Sequence, residues 1–224
     1  MAILLNLETA TTNCSVSIAK NGKQILLKED NSPNYSHSEK LHVFIQEALQ
    51  EASLSFNDLS AIAVSKGPGS YTGLRIGVSA AKGLCFSLDL PLISVATLES
   101  LAKQATPNTY KYIIPVLDAR RMEVYSAIFN TQGEQLRETM AEIIEEGHFM
   151  EYAEQGPVLL IGDGAEKCKE LLDHPNFTFE TALPTAQQMG ELSYKKFKVG
   201  DFENVAYFEP YYLKDFILKT KKKS

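Results

Sequence analysis

The segment 67–77, GPGSYTGLRIG, constrains the fold more than any other stretch of the 224-residue chain. It follows residues 60–65, a strand-sized run of small and β-branched residues, and leads into a helix predicted over about 72–88. A strand that passes through glycines into a helix is one arm of a parallel crossover, which needs a sheet to return to. Upstream, residues 3–7, 15–19 and 24–28 read as three short strands, with Asn21-Gly22 as the hairpin turn between the last two. Ser36 and Glu39 then form an S-x-x-E capping box ahead of Leu41, Phe44, Ile45, Ala48, Leu49 and Ala52 at helical spacing, which predicts a helix over 36–52. Residues 91–95 and 97–104 continue as strand and helix. The order βββαβαβα predicts an α/β fold, an antiparallel meander extended by parallel units.

A Thr-Pro-Asn-Thr stretch near 105–110 breaks the pattern, and an apolar strand restarts at 112–117. The expected organisation is therefore two domains, 1–104 and 105–224. In the second, strands are predicted at 124–129, 135–141 and 158–161. Helices are predicted at 145–154, 165–172 and 185–198, the last with Thr185 and Gln188 as a capping-box pair. A second β-rich beginning followed by helices suggests a degenerate duplication of the first half.

Composition narrows the function. With 44% hydrophobic residues the chain can build real cores, yet no window supplies the ~20 continuous apolar residues of a membrane helix. The opening MAILLNLET has no basic start or cleavage pattern and reads as a first strand, so the expected location is the cytoplasm. Cys14, Cys85 and Cys168 are odd in number and widely spaced, which argues against a disulfide framework or a zinc site. The formal net charge of −6 disfavours a large nucleic-acid footprint. Residues 214–224 run against it, with five lysines and one aspartate, a composition usual for a solvated tail. Six carboxylates without a Lys or Arg between 138 and 154 read as a solvated face.

The glycines of 67–77 admit two readings. A strand-to-helix junction offers bare helix N–H groups to an anion. However, Thr72 stands where the dinucleotide fingerprint wants its third glycine, and Gly73 is followed by Leu74-Arg75 where a P-loop needs lysine. Packing ranks first: Gly73, Gly77 and Ala81 recur every four residues and would let another helix approach closely. Both helices are apolar over more than one core requires and need a cover, either the second domain or another chain; if it is another chain, Leu41, Phe44, Ile45, Gly73, Leu74, Arg75, Gly77, Val78 and Ala81 are the candidate partner-binding residues.

The run GPGSYTGLRIG, the opening ILLNLETATTNCSVSIA, Asp118-Ala119-Arg120 followed by Glu123-Val124-Tyr125, and Pro210-Tyr211-Tyr212-Leu213-Lys214 together resemble the TsaB (YeaZ) family of tRNA threonylcarbamoyladenosine biosynthesis proteins. The resemblance implies a two-domain actin-like (ASKHA, ribonuclease H-like) fold, each domain a mixed sheet with flanking helices. It implies a scaffold role as the non-catalytic partner of TsaD, which transfers the threonylcarbamoyl group, with the ATPase TsaE in the same assembly. The partner surface it implies is formed by the first two helices, here 36–52 and 72–88; without the partner, the same surface should drive homodimerisation. Contact with tRNA is expected mainly through the complex, no cofactor is required by this subunit, and ATP or ADP enters within the complex.

Catalytic members of the actin-like superfamily hold phosphate with an acid and a glycine in the first hairpin, whereas Glu8-Thr9-Ala10-Thr11-Thr12 offers the acid without the glycine. Glu8, Thr9 and Thr11, with Gly162 and Gly164 of a second turn, are the candidate nucleotide-binding residues. No catalytic residue and no metal ligand set is predicted: His37 and His42, five apart, project about 140° apart on a helix. Two rival readings remain. One is a stand-alone actin-like ATPase or small-molecule kinase using Glu8 and Asp118, with Lys66 or Arg75 on phosphate. The other is a direct tRNA-binding module using Lys219, Lys221, Lys222 and Lys223.

Overall fold

The computed structural model describes residues 1–32, 36–106 and 108–213. The first sheet contains β1 (Ile3–Glu8), β2 (Cys14–Lys20), β3 (Lys23–Asp30), β4 (Ala61–Gly67) and β5 (Leu92–Ala96), in the order β3-β2-β1-β4-β5. The meander is antiparallel and the β1–β4 and β4–β5 pairs are parallel. Helices α1 (His37–Glu51) and α2 (Tyr71–Leu88) cover one face, burying Leu5, Leu7, Val16 and Val64 against Leu41, Ile45 and Val78. The other face carries Leu4, Ala63 and Ile93. With both faces covered, all six residues of β1 are buried, which is why its sequence is apolar without strict alternation.

The second sheet contains β6 (Tyr112–Asp118), β7 (Glu123–Asn130), β8 (Gln135–Ile143), β9 (Val158–Ile161) and β10 (Phe177–Glu180), in the order β10-β9-β6-β7-β8. Read from its meander, this is the strand order of the first sheet again, and the fold is the two-domain actin-like one. Two helices are exchanged between the sheets. Helix α3 (Thr97–Ala102) sits between the strands of the first sheet and those of the second in sequence, but Leu98 and Leu101 pack on Ile113, Leu117, Phe129 and Leu159. Helix α6 (Ala186–Val199) comes last, yet Met189 and Leu192 cover the back of the first sheet. There Ser193 Oγ donates to Asn6 Oδ1 at 2.7 Å and Ser17 Oγ to the Ala186 carbonyl at 2.6 Å, so the polar residues of a buried layer are satisfied.

After α6 the chain runs along the first sheet as a strap. Glu203 N–H donates to the Leu92 carbonyl at the β5 edge, Lys82 Nζ donates to the carbonyls of Ala206 and Phe208 at 3.1 and 2.9 Å, and Tyr211 N–H donates to the Lys66 carbonyl at 2.7 Å. Gly67 sits at φ +107°, and a Cβ there would lie 2.9 Å from the Tyr211 carbonyl oxygen, so glycine is what lets the strap cross.

Several local expectations change. Ser36 precedes α1 but makes no capping bond; its hydroxyl donates to Asp30 Oδ2 at 2.7 Å. The helix expected over 145–154 shrinks to α4 (Met150–Ala153), because Gly147 and Phe149 take positive φ values of 84° and 60° and turn the chain first. Helix α5 (Ala165–Lys169) is likewise shorter than expected, and β10 had no prediction. Thr185 does cap α6, accepting from Gln187 N–H at 2.9 Å. The lysines at 219 and 221–223 lie outside the described residues. Among the described residues no helix is long and apolar enough to cross a membrane.

Candidate functional site

Helix α2 has two different faces. Gly73, Leu74, Gly77, Val78, Ala81 and Cys85 are buried. The glycine strip meets the turn between β1 and β2 and, at Gly73, also the His37 ring at the start of α1. A Cβ at Gly73 would stand 2.1 Å from the Thr9 carbonyl oxygen, and one at Gly77 2.3 Å from Thr9 Oγ1. In the space so left, Thr9 Oγ1 donates to the Gly73 carbonyl at 2.8 Å. Leu41 and Ile45 of α1 are core residues too, at 0% and 2% exposure. Of the nine residues expected to bind a partner, only Phe44 and Arg75 reach the surface, because a helical stripe names a face without saying which side of the sheet it lies on.

The outward face of α2 is formed instead by Ile76, Ala80, Gly83, Leu84 and Phe86, the last 85% exposed. Between this face and α1 runs an open groove of about 780 Å³ that His42, Arg75 and Ser79 border. A Cβ at Gly83 would meet no described atom within 4 Å. Half-buried Ile76, Ala80 and Leu84 form an apolar seam along it, between the exposed Arg75, Ser79, Gly83 and Phe86.

A second candidate lies in the cleft between the sheets, a cavity of about 380 Å³. Its floor is the β1–β2 turn at Ala10–Thr12, its walls are Ser70 and Tyr71 on one side and Asp118, Tyr125 and Asp163 on the other, and Tyr211 and Tyr212 of the strap close one end. Arg75 stacks 4.2 Å over the Tyr71 ring and donates from Nε to Tyr212 Oη at 3.3 Å, fixing that end. Asp118 Oδ1 accepts from Arg120 N–H at 2.7 Å and from the Lys167 ammonium, and Asp163 Oδ1 accepts from Asp118 N–H at 2.8 Å.

Of the expected nucleotide-binding residues, only Thr11 borders this cavity. Glu8 is fully buried beneath it, with Oε1 accepting from Ala10 N–H at 2.7 Å and Oε2 without a hydrogen-bond partner among the described residues. The neighbouring Ser65 hydroxyl shares a 2.7 Å hydrogen bond with Thr97 Oγ1 in which either oxygen can donate. Burial pushes the Glu8 carboxyl up to about 7, against the opposing pull of the Ala10 amide, the Ser65 hydroxyl and the Thr9 amide. Thr9, in the β1–β2 turn, is buried against α2. Gly162 and Gly164 serve strand crossing: a Cβ at Gly162, where φ is +141°, would lie 1.9 Å from the Val116 carbonyl oxygen.

The actin-like fold implies a nucleotide, and its phosphates do not fit this arrangement. The start of α2, where an anion would bind, borders the cavity through Ser70, Tyr71 and Thr72, and the chain itself takes up two of the amides there. Ser70 N–H donates to the Ala10 carbonyl at 2.6 Å, Gly73 N–H to Ser70 Oγ at 3.3 Å, and a Cβ at Gly69 would lie 2.4 Å from the Ala10 oxygen. Carbonyl oxygens crowd where phosphate oxygens would go. No group of three or more His, Cys, Asp or Glu capable of holding a metal occurs among the described residues. Cys14, Cys85 and Cys168 are free and buried, and burial pushes each thiol up to about 12, so they are poor nucleophiles.

Comparison with known proteins fits this geometry. The sequence model of the family described as "TsaD: tRNA N6-adenosine threonylcarbamoyltransferase" matches residues 32–151, from the end of the first meander to the second sheet. A solved protein from Pseudomonas aeruginosa, described as similar to peptidase YeaZ, superposes with a TM-score of 0.85 at 27% identity, covering 96% of this chain and 100% of that one. The Escherichia coli tRNA threonylcarbamoyladenosine biosynthesis protein TsaB is 28% identical over 95% of this chain and 94% of its own length. The chain belongs to the TsaB (YeaZ) family. Its likeness to the threonylcarbamoyltransferases themselves is partial: the Bacillus thuringiensis (strain Al Hakam) enzyme is 37% identical over 42% of this chain and 32% of that one. The stretch that matches the TsaD model, residues 32–151, contains both α1 and α2.

Proposed function

We propose that this chain is a non-catalytic subunit of tRNA threonylcarbamoyladenosine biosynthesis, acting in the cytoplasm as a scaffold that binds and stabilises a TsaD-type threonylcarbamoyltransferase. The observation that carries the proposal is the outward side of α2, where half-buried Ile76, Ala80 and Leu84 and exposed Gly83 and Phe86 form an apolar seam beside the groove to α1. Membership of the TsaB family and the match of residues 32–151 to the TsaD model support it. A partner built on the same helices would meet them in a pseudo-symmetric pairing, and a second copy of this chain would compete for the same face. TsaE, tRNA and ATP or ADP then join at the level of the complex, with no cofactor needed by this subunit.

The residues assigned to docking are Phe44, Arg75, Ile76, Ala80, Gly83, Leu84 and Phe86. Gly83→Arg should leave folding intact, since open space surrounds that position, and weaken binding of the TsaD protein by at least roughly tenfold in a titration of the two purified proteins. It should shift the isolated chain toward monomer in light scattering by the same logic. A variant that folds and binds TsaD with unchanged affinity would remove the assignment. The rival ATPase reading asks Glu8 to work as a buried acid with no route to the phosphate; ATP turnover by the purified chain, lost in Glu8→Ala, would instead sink the scaffold reading.

A further inference from the structure

We infer that the cleft between the two sheets binds an uncharged ribonucleoside and rejects its phosphorylated forms. The cavity of about 380 Å³ lies in the range of small-ligand pockets, near its lower end, which suits one base and one sugar. Its composition is that of a site for a planar heterocycle. Tyr71, Tyr125, Tyr211 and Tyr212 approach it from both domains and from the strap, and aromatic rings stack on bases with little regard to their identity. The Tyr71 and Tyr212 rings lie 5.0 Å apart with their planes at 41°, and Arg75 stacks on the first and donates to the hydroxyl of the second, so this end of the cavity is prearranged.

At the opposite wall, two carboxylates are set side by side by a backbone bond, Asp118 N–H to Asp163 Oδ1. Among the described residues, the Oδ2 atom of each is held by no other side chain. Carboxylate oxygens are acceptors only, and a pair of them matches the two donors of a vicinal diol, as acidic residues do for ribose in dinucleotide folds. Both burial and the neighbouring Asp118 raise the Asp163 carboxyl, which is the response of a site that disfavours further negative charge.

Phosphate is disfavoured for a separate reason. At the helix start that would receive it, the Ala10 carbonyl takes the Ser70 amide, the Ser70 hydroxyl takes the Gly73 amide, and a Cβ at Gly69 would lie 2.4 Å from the Ala10 oxygen. The cleft of a nucleotide-binding fold has thus kept room for a nucleoside while the phosphate end is occupied by its own backbone. This inference concerns the isolated chain and stands whether or not the docking face of α2 binds a partner.

The test is a titration of the full chain followed by amide chemical shifts, with adenosine, 2′-deoxyadenosine and ADP plus magnesium as probes. Adenosine should bind in the range of about 0.1 to 1 mM, with shifts around Asp118, Asp163 and Tyr212. Loss of one diol hydroxyl in 2′-deoxyadenosine should weaken binding roughly fivefold to tenfold, and ADP should bind at least tenfold more weakly than adenosine. Asp163→Asn keeps an oxygen for the Asp118 amide and should lose the preference for ribose over deoxyribose. ADP binding as tight as adenosine, equal binding of the deoxynucleoside, or no shifts with about 5 mM adenosine would each overturn the inference.

Discussion

The two sheets share one strand order, but the hairpins that begin them are held in opposite ways. In the first half, the β1–β2 turn is buried under α2, and Gly73 and Gly77 bring the helix so close that Thr9 bonds directly to its backbone. In the second half, the turn between β6 and β7 is exposed, and α5 reaches it through a single side chain. Lys167 donates to Asp118 Oδ1, to the Arg121 carbonyl at 2.6 Å and to the Glu123 carbonyl at 3.1 Å. The strand-end acids differ accordingly: Glu8 is sealed in with a carboxyl near neutrality, while Asp118 stands at the cleft and is paired. The same topology can therefore fix its first hairpin by backbone contact or by a lysine. Both turns border the cleft, but only the second offers it a strand-end carboxylate, Asp118.

The contrast breaks most visibly at Gly73. Gly73→Val must push the Thr9 carbonyl away and should cost roughly 3 kcal/mol in urea unfolding, overpacking with loss of a buried hydrogen bond. Gly83→Ala, on the outward face of the same helix, should instead raise stability by about 0.5–1 kcal/mol.

Next comes Glu8. Its folded carboxyl, raised to about 7 from an ordinary 4.5, favours the protonated form, so its contribution is complete below about pH 4.5 and is lost as pH rises through 7. The wild type should lose up to about 3 kcal/mol across that window relative to Glu8→Gln, whose stability profile should be flatter. Parallel profiles for the two proteins would mean that Glu8 is ionised in the fold. In the second half, Lys167→Met should cost only about 1 kcal/mol, since its bonds lie partly in solvent, and it should loosen residues 118–123 in hydrogen exchange without touching the first hairpin.

Much of the fold was legible in the sequence, and the reasons differ by element. The meander, α1, α2 and β4 carry strong periodicity or glycine punctuation, and their limits fall within a residue or two of expectation. Periodicity also found the right stripe on α2, but a stripe is silent about direction, and the face assigned to a partner is the one turned toward Thr9. Chain order placed α3 with the first half and α6 with the second, while each packs on the opposite sheet; no local pattern encodes such an exchange. β10 has four residues, too few for a period. For the cleft, Asp118 and the Tyr211-Tyr212 pair stood out in the sequence as motif residues, but only the strap's return across Gly67 brings them together.

The exchange of helices sets a schedule for the ribosome. The strands of the first sheet are all synthesised by residue 96, but the apolar layer of Leu4, Ala63 and Ile93 has no cover until α6 has been made, some hundred residues later. At about 5–20 residues per second, that surface would stay open for roughly 5–20 s on a nascent chain. The first half is therefore a natural client for chaperones during synthesis, and a chain arrested before Ala186 should be recognised as unfinished although its first sheet is already complete in sequence.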